Sequence, residues 1–163
     1  MDASENGLFK MATSLYIHIP FCHKKCPYCS FVVSIGHDNH IDRYLDCLAR
    51  EAALYRGEKI RTVYIGGGTP SYLNDEQLKK LFAVIYSNFD VAQGTEWTFE
   101  VNPEDVSSKK FTLLRKQGVN RLSVGIQSFD DEGLKYTINL NTLTGESHLL
   151  EGFQDANFTL PKK

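Results

Sequence analysis

The sequence predicts an α/β protein on a parallel sheet, about four βα units long. Three observations point there. Short runs rich in β-branched and aromatic residues alternate with longer runs of helical period, the mark of βαβ units. Each strand-like run ends in a loop of unusual composition, and in parallel α/β folds chemistry collects in the loops at the carboxyl ends of strands. The chain has 163 residues, whereas an eight-unit barrel needs about 250, so it holds about half of one.

The elements follow in order. "SLYIHI" (14–19) is the first strand, and a polar loop carrying cysteines follows it. "HIDRYLDCLAREAALYR" (40–56) has apolar residues at 41, 44, 45, 48, 52 and 55, a helical stripe. Cys47 lies beside that stripe and is expected to be a packed thiol. "TVYI" (62–65) is the second strand and runs into "GGGTPS". "NDEQLKKLFAVIYSNF" (74–89) is a helix with Asn74 as its N-cap and acids in its first turn. "EWTFEV" (96–101) is the third strand and ends in "NPED". "SSKKFTLLRKQG" (107–118) is a helix opened by Ser107 or Ser108 and closed by Gly118. "RLSVGI" (121–126) is the fourth strand and ends in "QSFDDE", with a helix expected from Asp130. The domain is therefore read as residues 14–135, with 1–13 a disordered lead-in in which Met11 is an alternative start. Residues 136–163, rich in Asn, Thr and Gly, break the rhythm and read as a divergent tail.

Composition narrows the function classes. Apolar residues make up 42% and charged residues 23%, a globular balance sufficient for one domain with a real core. The net charge of −2 supplies no basic face, so nucleic acid is not an expected partner. The one basic cluster, His23-Lys24-Lys25, reads as a solvated loop, with docking of an acidic redox partner as the alternative. No apolar run approaches the roughly 20 residues of a membrane span. The N-terminal stretch has neither the apolar region of a secretory signal nor the arginines of a transit peptide. The expected location is the cytoplasm, where thiols stay reduced and a cysteine cluster points to a metal or to redox chemistry.

That cluster is "CHKKCPYC" (22–29), with Cys22, Cys26 and Cys29 spaced C-x3-C-x2-C. Thiolates suit zinc or iron–sulfur clusters. Structural zinc closes four ligands, and the candidates for a fourth are His18, His23, His37, His40 and Cys47, none at a familiar zinc interval. A thioredoxin-like reading of Cys26-Pro27-Tyr28-Cys29 leaves Cys22 unexplained. A [4Fe–4S] cluster normally takes four thiolates, and three leave one iron open to a ligand from outside the protein. The other strand-end loops carry Gly66-Gly67-Gly68-Thr69-Pro70, then Glu100 with Asn102, then Gln127 with Ser128. A glycine run lets backbone approach a ligand closely, and a carboxylate accepts from two sugar hydroxyls. Taken singly, the glycines read as a tight turn and Glu100 as surface charge; their placement on four strand ends favours a site.

The C-x3-C-x2-C loop after a first strand resembles the radical S-adenosylmethionine (SAM) superfamily. The stretches "LYIHIPFCHKKCPYCSF", "YIGGGTPSYL", "EVNPED" and "GVNRLSVGIQSFDD" resemble, more closely, the oxygen-independent coproporphyrinogen III oxidase family and its sister branch, the radical SAM heme chaperones. The resemblance implies a partial (βα) barrel of the radical SAM type, present as its first half. It implies that Cys22, Cys26 and Cys29 hold a [4Fe–4S] cluster whose open iron binds SAM. It places Tyr16 and Tyr28 against SAM, brings Gly67, Gly68 and Thr69 to it through backbone groups, sets Glu100 on its ribose and gives Gln127 a further polar contact. It implies an electron donor of flavodoxin or ferredoxin type, and heme or a porphyrin as partner.

Two departures shape the expectation. The oxidase branch has a fourth cysteine one residue beyond the third, where this chain has Phe31, which favours the heme-chaperone branch. The family's Gly-Arg-x-His context after Gln127 is replaced by "KYTINLNT", with Asn139 where the Arg would fall, and the resemblance ends near residue 135. The expected function is a SAM- and cluster-binding protein of heme metabolism, heme-chaperone-like. The alternatives are a decarboxylating coproporphyrinogen III oxidase and an inactive truncated fragment or zinc-binding module.

Overall fold

The structure, a computed structural model, describes residues 13–105 and 107–126. In chain order its elements are β1 (Thr13–Ile19), β2 (Phe21–Cys22), β3 (Ser34–Ile35), α1 (Ile41–Ala53), β4 (Lys59–Gly67), α2 (Asp75–Asn88), β5 (Asp90–Val101), α3 (Ser108–Lys116) and β6 (Arg121–Val124). The main sheet has the order β1-β4-β5-β6, and each neighbouring pair is parallel. This is the α/β plan expected, with successive strands added side by side. Of the lead-in 1–13, Thr13 belongs to β1 and residues 1–12 lie outside the described residues, as do the helix expected from Asp130 and the tail 136–163.

Strand alternation divides the sheet into two unlike faces. On one face Ile17, Ile19, Val63, Ile65, Phe99 and Val101 are buried under the helices. The core they enter is completed by Leu45 of α1, Phe82 and Ile85 of α2, and Phe111 and Leu114 of α3. Phe82 anchors it, with ring centroids 5.9 Å from Trp97 and 6.4 Å from Phe99. The other face carries Ser14, Tyr16 and His18 from β1, Thr62 and Tyr64 from β4, Glu96 and Glu100 from β5, and Arg121 and Ser123 from β6, all exposed or half-buried. One side of the sheet is thus a packed layer and the other a polar, aromatic floor.

The helix ends follow the sequence. Asn74 caps α2 by accepting from the Gln77 N–H at 2.9 Å, while the Gln77 side chain accepts from the Asn74 N–H at 3.0 Å. This reciprocal box satisfies two amides that the helix itself cannot. Asn74→Ala is expected to cost about 1 kcal/mol, read as a lower denaturant midpoint at unchanged slope; an unchanged midpoint would mean that the box contributes nothing. Ser107 caps α3 by accepting from the Lys110 N–H at 3.2 Å. Gly118, with φ of 95°, turns the chain out of α3.

Three readings need correction. Cys47 is exposed, not packed. It stands two residues beyond the buried Leu45, about 200° around the helix, and accepts a hydrogen bond from the Arg50 guanidinium at 3.0 Å. Tyr55 falls beyond the end of α1 and is also exposed, so the inward stripe stops at Ala52. The middle strands begin earlier than their apolar runs. β4 starts at Lys59 and β5 at Asp90, and their pairing slips between Ile60 and Thr62. Each leading segment places one aliphatic residue at the core, Ile60 buried within it and Val91 against it, among mostly polar or small neighbours, too few for hydrophobic alternation to reveal. Among the described residues no helix is long and apolar enough to cross a membrane.

Candidate functional site

The site is built where β1, β4 and β5 end. From β1 the chain turns through Pro20 into β2, whose two residues pair in parallel with β3. Cys22 closes β2, and the loop from there to β3 holds Cys26 and Cys29; all three are free thiols and half-buried. The Cys29 N–H donates to the Cys26 carbonyl at 3.1 Å, closing a turn that brings these two residues to one side of the loop.

The glycine run beside it is held by the protein itself. The Gly67 N–H donates to Glu100 Oε2 at 3.1 Å, the Gly68 N–H to the Ile19 carbonyl at 2.7 Å and the Thr69 N–H to the Phe21 carbonyl at 2.9 Å. Close approach is the reason for the glycines. A Cβ on Gly68 would lie 2.8 Å from the Phe21 carbonyl oxygen and 2.9 Å from Cys22 Sγ. One on Gly66 would lie 2.7 Å from Tyr64 Cε1 and 2.8 Å from Glu100 Oε2. The run therefore fits the cysteine loop and the Glu100 carboxylate tightly against β4.

A chain of polar contacts supports the cysteine loop from below. Thr69, which is buried, has its Oγ1 3.3 Å from Cys22 Sγ and accepts from Asn102 Nδ2 at 3.3 Å. The Asn102 N–H donates to Ser71 Oγ at 3.0 Å, and Ser71 Oγ–H donates to Asp105 Oδ2 at 3.0 Å. His23 Nε2 closes the arc on Asp105 Oδ1 at 2.7 Å, with its ring edge-on to Tyr72 at 4.1 Å. His23 is therefore tied down rather than part of a solvated loop. Lys110 Nζ donates to the Ser71 carbonyl. Asp105 accepts from both ends of the arc and is 6% exposed, so Asp105→Ala is expected to cost about 2 kcal/mol by leaving two donors unpaired. Thermal unfolding of the two proteins checks this, and equal midpoints would mean that the arc carries no load.

Electrostatics follow the packing. Burial pushes the Cys22 thiol up, the Thr69 hydrogen bond opposes this, and the nearby Cys26, Cys29 and Asp105 push it further. Tyr28 is pushed up to about 12 by burial, by a hydrogen bond to Cys26 and by the charges of Cys26, Cys29 and Glu104. Both phenols flanking the site keep their protons at neutral pH, because Tyr16 is raised by burial and by Glu100.

The donor set can be tested against the groups expected of it. Among the described residues no three His, Cys, Asp or Glu side chains converge to hold a single metal ion. A cluster asks for something else: each iron takes one thiolate, so the sulfurs ring it without meeting at a point. Three free thiols on one short loop, within electrostatic reach of one another, suit that demand.

Of the residues singled out by sequence, Cys22, Cys26, Cys29, Tyr28, Gly67, Gly68, Thr69 and Glu100 lie at or just beyond the carboxyl ends of β1, β4 and β5. Tyr16 stands on the open face with 56% of its surface exposed. Gln127 and Ser128 lie outside the described residues. Beyond Glu100, a cavity of about 190 Å³ is lined by Gly68, Thr69, Glu100, Asn102, Ser123 and Gly125. Two participants escaped sequence reasoning. Tyr64 donates to Glu100 Oε1 at 2.5 Å, and the period of "TVYI" alone sets it on the face of Tyr16. Asp105 stands in plain view in "NPED", but its role depends on contacts with residues far away in sequence.

Comparison with known proteins agrees with this geometry. The sequence model of the family described as "Radical SAM superfamily" matches residues 16–151. The heme chaperone HemW of Escherichia coli (strain K12) is 39% identical over 127 residues, 75% of this chain and 34% of that protein. The oxygen-independent coproporphyrinogen III oxidase of Escherichia coli (strain K12) is 40% identical over 124 residues, 73% of this chain and 27% of that enzyme. A solved structure described as "Coproporphyrinogen III oxidase (HemN) from Escherichia coli is a Radical SAM enzyme" superposes with a TM-score of 0.76 at 35% identity. The superposition covers 88% of this chain and 34% of that one. The chain spans about a third of the length of the curated relatives it matches.

Proposed function

The chain belongs to the radical SAM superfamily, and from that premise we propose that it binds a [4Fe–4S] cluster and SAM and acts in heme or porphyrin metabolism. The observation that carries the reading is the set of three free thiols on one strand-end loop, fitted against a glycine run and a carboxylate. Cys22, Cys26 and Cys29 are the proposed cluster ligands. When bound, the cluster and SAM supply reductive cleavage of a carbon–sulfur bond. The chain's own residues hold and orient. Thr69 donates to the Cys22 sulfur and so favours its thiolate. Glu100 accepts the ribose hydroxyls, and Tyr16 and Tyr28 flank the cofactor. The N–H groups of Gly67, Gly68 and Thr69 are already engaged, so these residues meet the ligand through carbonyls and Cα atoms. Gln127 adds a polar contact from the fourth strand's end. The electron comes from an external one-electron donor of flavodoxin or ferredoxin type.

Between the two kinds of relative, Phe31 favours the heme-chaperone-like reading. The oxidase branch has a cysteine there; Phe31 cannot ligate iron, and it stands 62% exposed at the loop's rim. Heme is then the bound partner, and coproporphyrinogen decarboxylation is the second reading.

Anaerobic reconstitution tests the proposal. About four irons and four sulfides per chain are expected, with a reduced-state EPR signal that shifts when SAM is added. Zinc in place of iron, or no metal, would overturn it. Heme titration and assay for decarboxylated product then separate the two readings: a stable heme complex supports the first, and decarboxylated product without heme binding supports the second.

A further inference from the structure

The open face of the sheet holds a contact that the proposed ligand set does not explain. Glu100 sits in a row with Ser123 of β6, and its carboxylate is grasped from two directions. Tyr64 Oη donates to Oε1 at 2.5 Å, and the Gly67 N–H donates to Oε2 at 3.1 Å. An ionised carboxylate has about four acceptor sites, so these donors leave roughly half of them open. Both donors are neutral. Arg121, one row down on the same face, pairs with Glu96 at 2.9 Å rather than with Glu100.

The geometry is built rather than incidental. Tyr64 and Glu100 meet only because residue 66 is glycine, since a Cβ there would collide with both. The Tyr64 ring is braced by Tyr16, with centroids 5.9 Å apart. The Ser123 hydroxyl reaches the Tyr64 phenol from β6. On the far side of Glu100 lies the cavity already described.

We propose that Tyr64 is a positioning residue: with the Gly67 N–H, it fixes the Glu100 carboxylate so that its remaining lone pairs accept the cis-diol of a ribose. The inference rests on the SAM-binding reading above and adds to it the group that sets the carboxylate's orientation. Tyr64 itself does not touch the reacting atoms. Its removal frees the carboxylate to rotate, and the loss appears in nucleoside affinity. Loss of packing alone would appear in stability and leave the two residues energetically independent.

The test is a double-mutant cycle on the reconstituted full chain. Dissociation constants for SAM and for S-adenosylhomocysteine are measured for wild type, Tyr64→Phe, Glu100→Gln and the double variant. Tyr64→Phe is expected to weaken both ligands about tenfold, and less than about twofold when Glu100 is already Gln. Affinities within about twofold of wild type for Tyr64→Phe, or losses that simply add, would overturn the proposal. The carboxyl carbon resonance of Glu100, labelled with 13C and recorded without ligand, gives a second readout. It is expected to move in Tyr64→Phe, and an unmoved resonance would overturn the contact. A wild-type chain that binds neither nucleoside overturns the SAM-binding reading and this proposal's ligand with it, while the resonance still judges whether Tyr64 orients Glu100.

Discussion

Cys26→Ala is expected to take the reconstituted chain from about four irons to roughly none, the largest change any single substitution should produce. In the proposed cluster each of the three thiolates binds one iron. With one ligand gone, two irons lack a protein donor and the assembly loses its seat. The effect is not a loss of fold. Cys26 is half-buried in a loop closed by backbone from Cys29, and alanine keeps that backbone bond, so the unfolding midpoint of the apo chain should move by less than about 0.5 kcal/mol. Cys47→Ala is the control. Its thiol lies exposed on α1, and iron content should be unchanged. Equal iron in Cys26→Ala and wild type would remove the loop from the metal chemistry altogether.

Gly67→Ala is expected to cost about 2–4 kcal/mol of stability. Two terms add. The residue has φ of 119°, a conformation that side chains rarely adopt. The new methyl would also lie 2.8 Å from the His18 ring and 2.9 Å from the Ile19 carbonyl oxygen. That oxygen belongs to β1 and cannot retreat without breaking the β1–β4 pairing at Ile19 and Gly67. Relief by a shift of β4 would also stretch the Gly67 bond to Glu100, so affinity for SAM should fall together with stability. Gly57→Ala separates strain from collision: its φ is 85°, but nothing lies within 4 Å of its would-be Cβ. It should cost about 1 kcal/mol. Similar losses at both positions would mean that backbone conformation alone sets the cost and that the close fit at β4 contributes nothing.

Much of this architecture was legible because it is written in period. Ile17 and Ile19, Val63 and Ile65, Trp97 and Phe99 alternate with polar residues, and that pattern alone fixes which face meets the helices. Asn74 and Ser107 were legible because capping is local chemistry. The cysteine spacing and the glycine run were legible because few other roles demand them. What escaped depends on distance in the fold. The β2–β3 pair has two residues per strand, too few for any period. Cys47 was misjudged because adjacency to a stripe in sequence is not adjacency around a helix. The Asp105 arc and the Tyr64–Glu100 contact join residues 82 and 36 positions apart, a relation no local window can contain.

Every pairing in the main sheet is parallel, and parallel strands cannot be joined by a tight hairpin but need a long crossover. Thr62 reaches Ser14 across 48 residues, and the cysteine loop lies between them. As the chain leaves a ribosome, β1 and all three thiols therefore emerge well before β4 arrives to give them a scaffold. Such non-local closure is slow relative to helix formation, and the proposed cluster needs that scaffold, so the expected order is sheet first, metal second. Trp97, the chain's one tryptophan and buried on β5, times the first event. In refolding with iron and sulfide present, iron uptake is expected to lag the fluorescence change of Trp97.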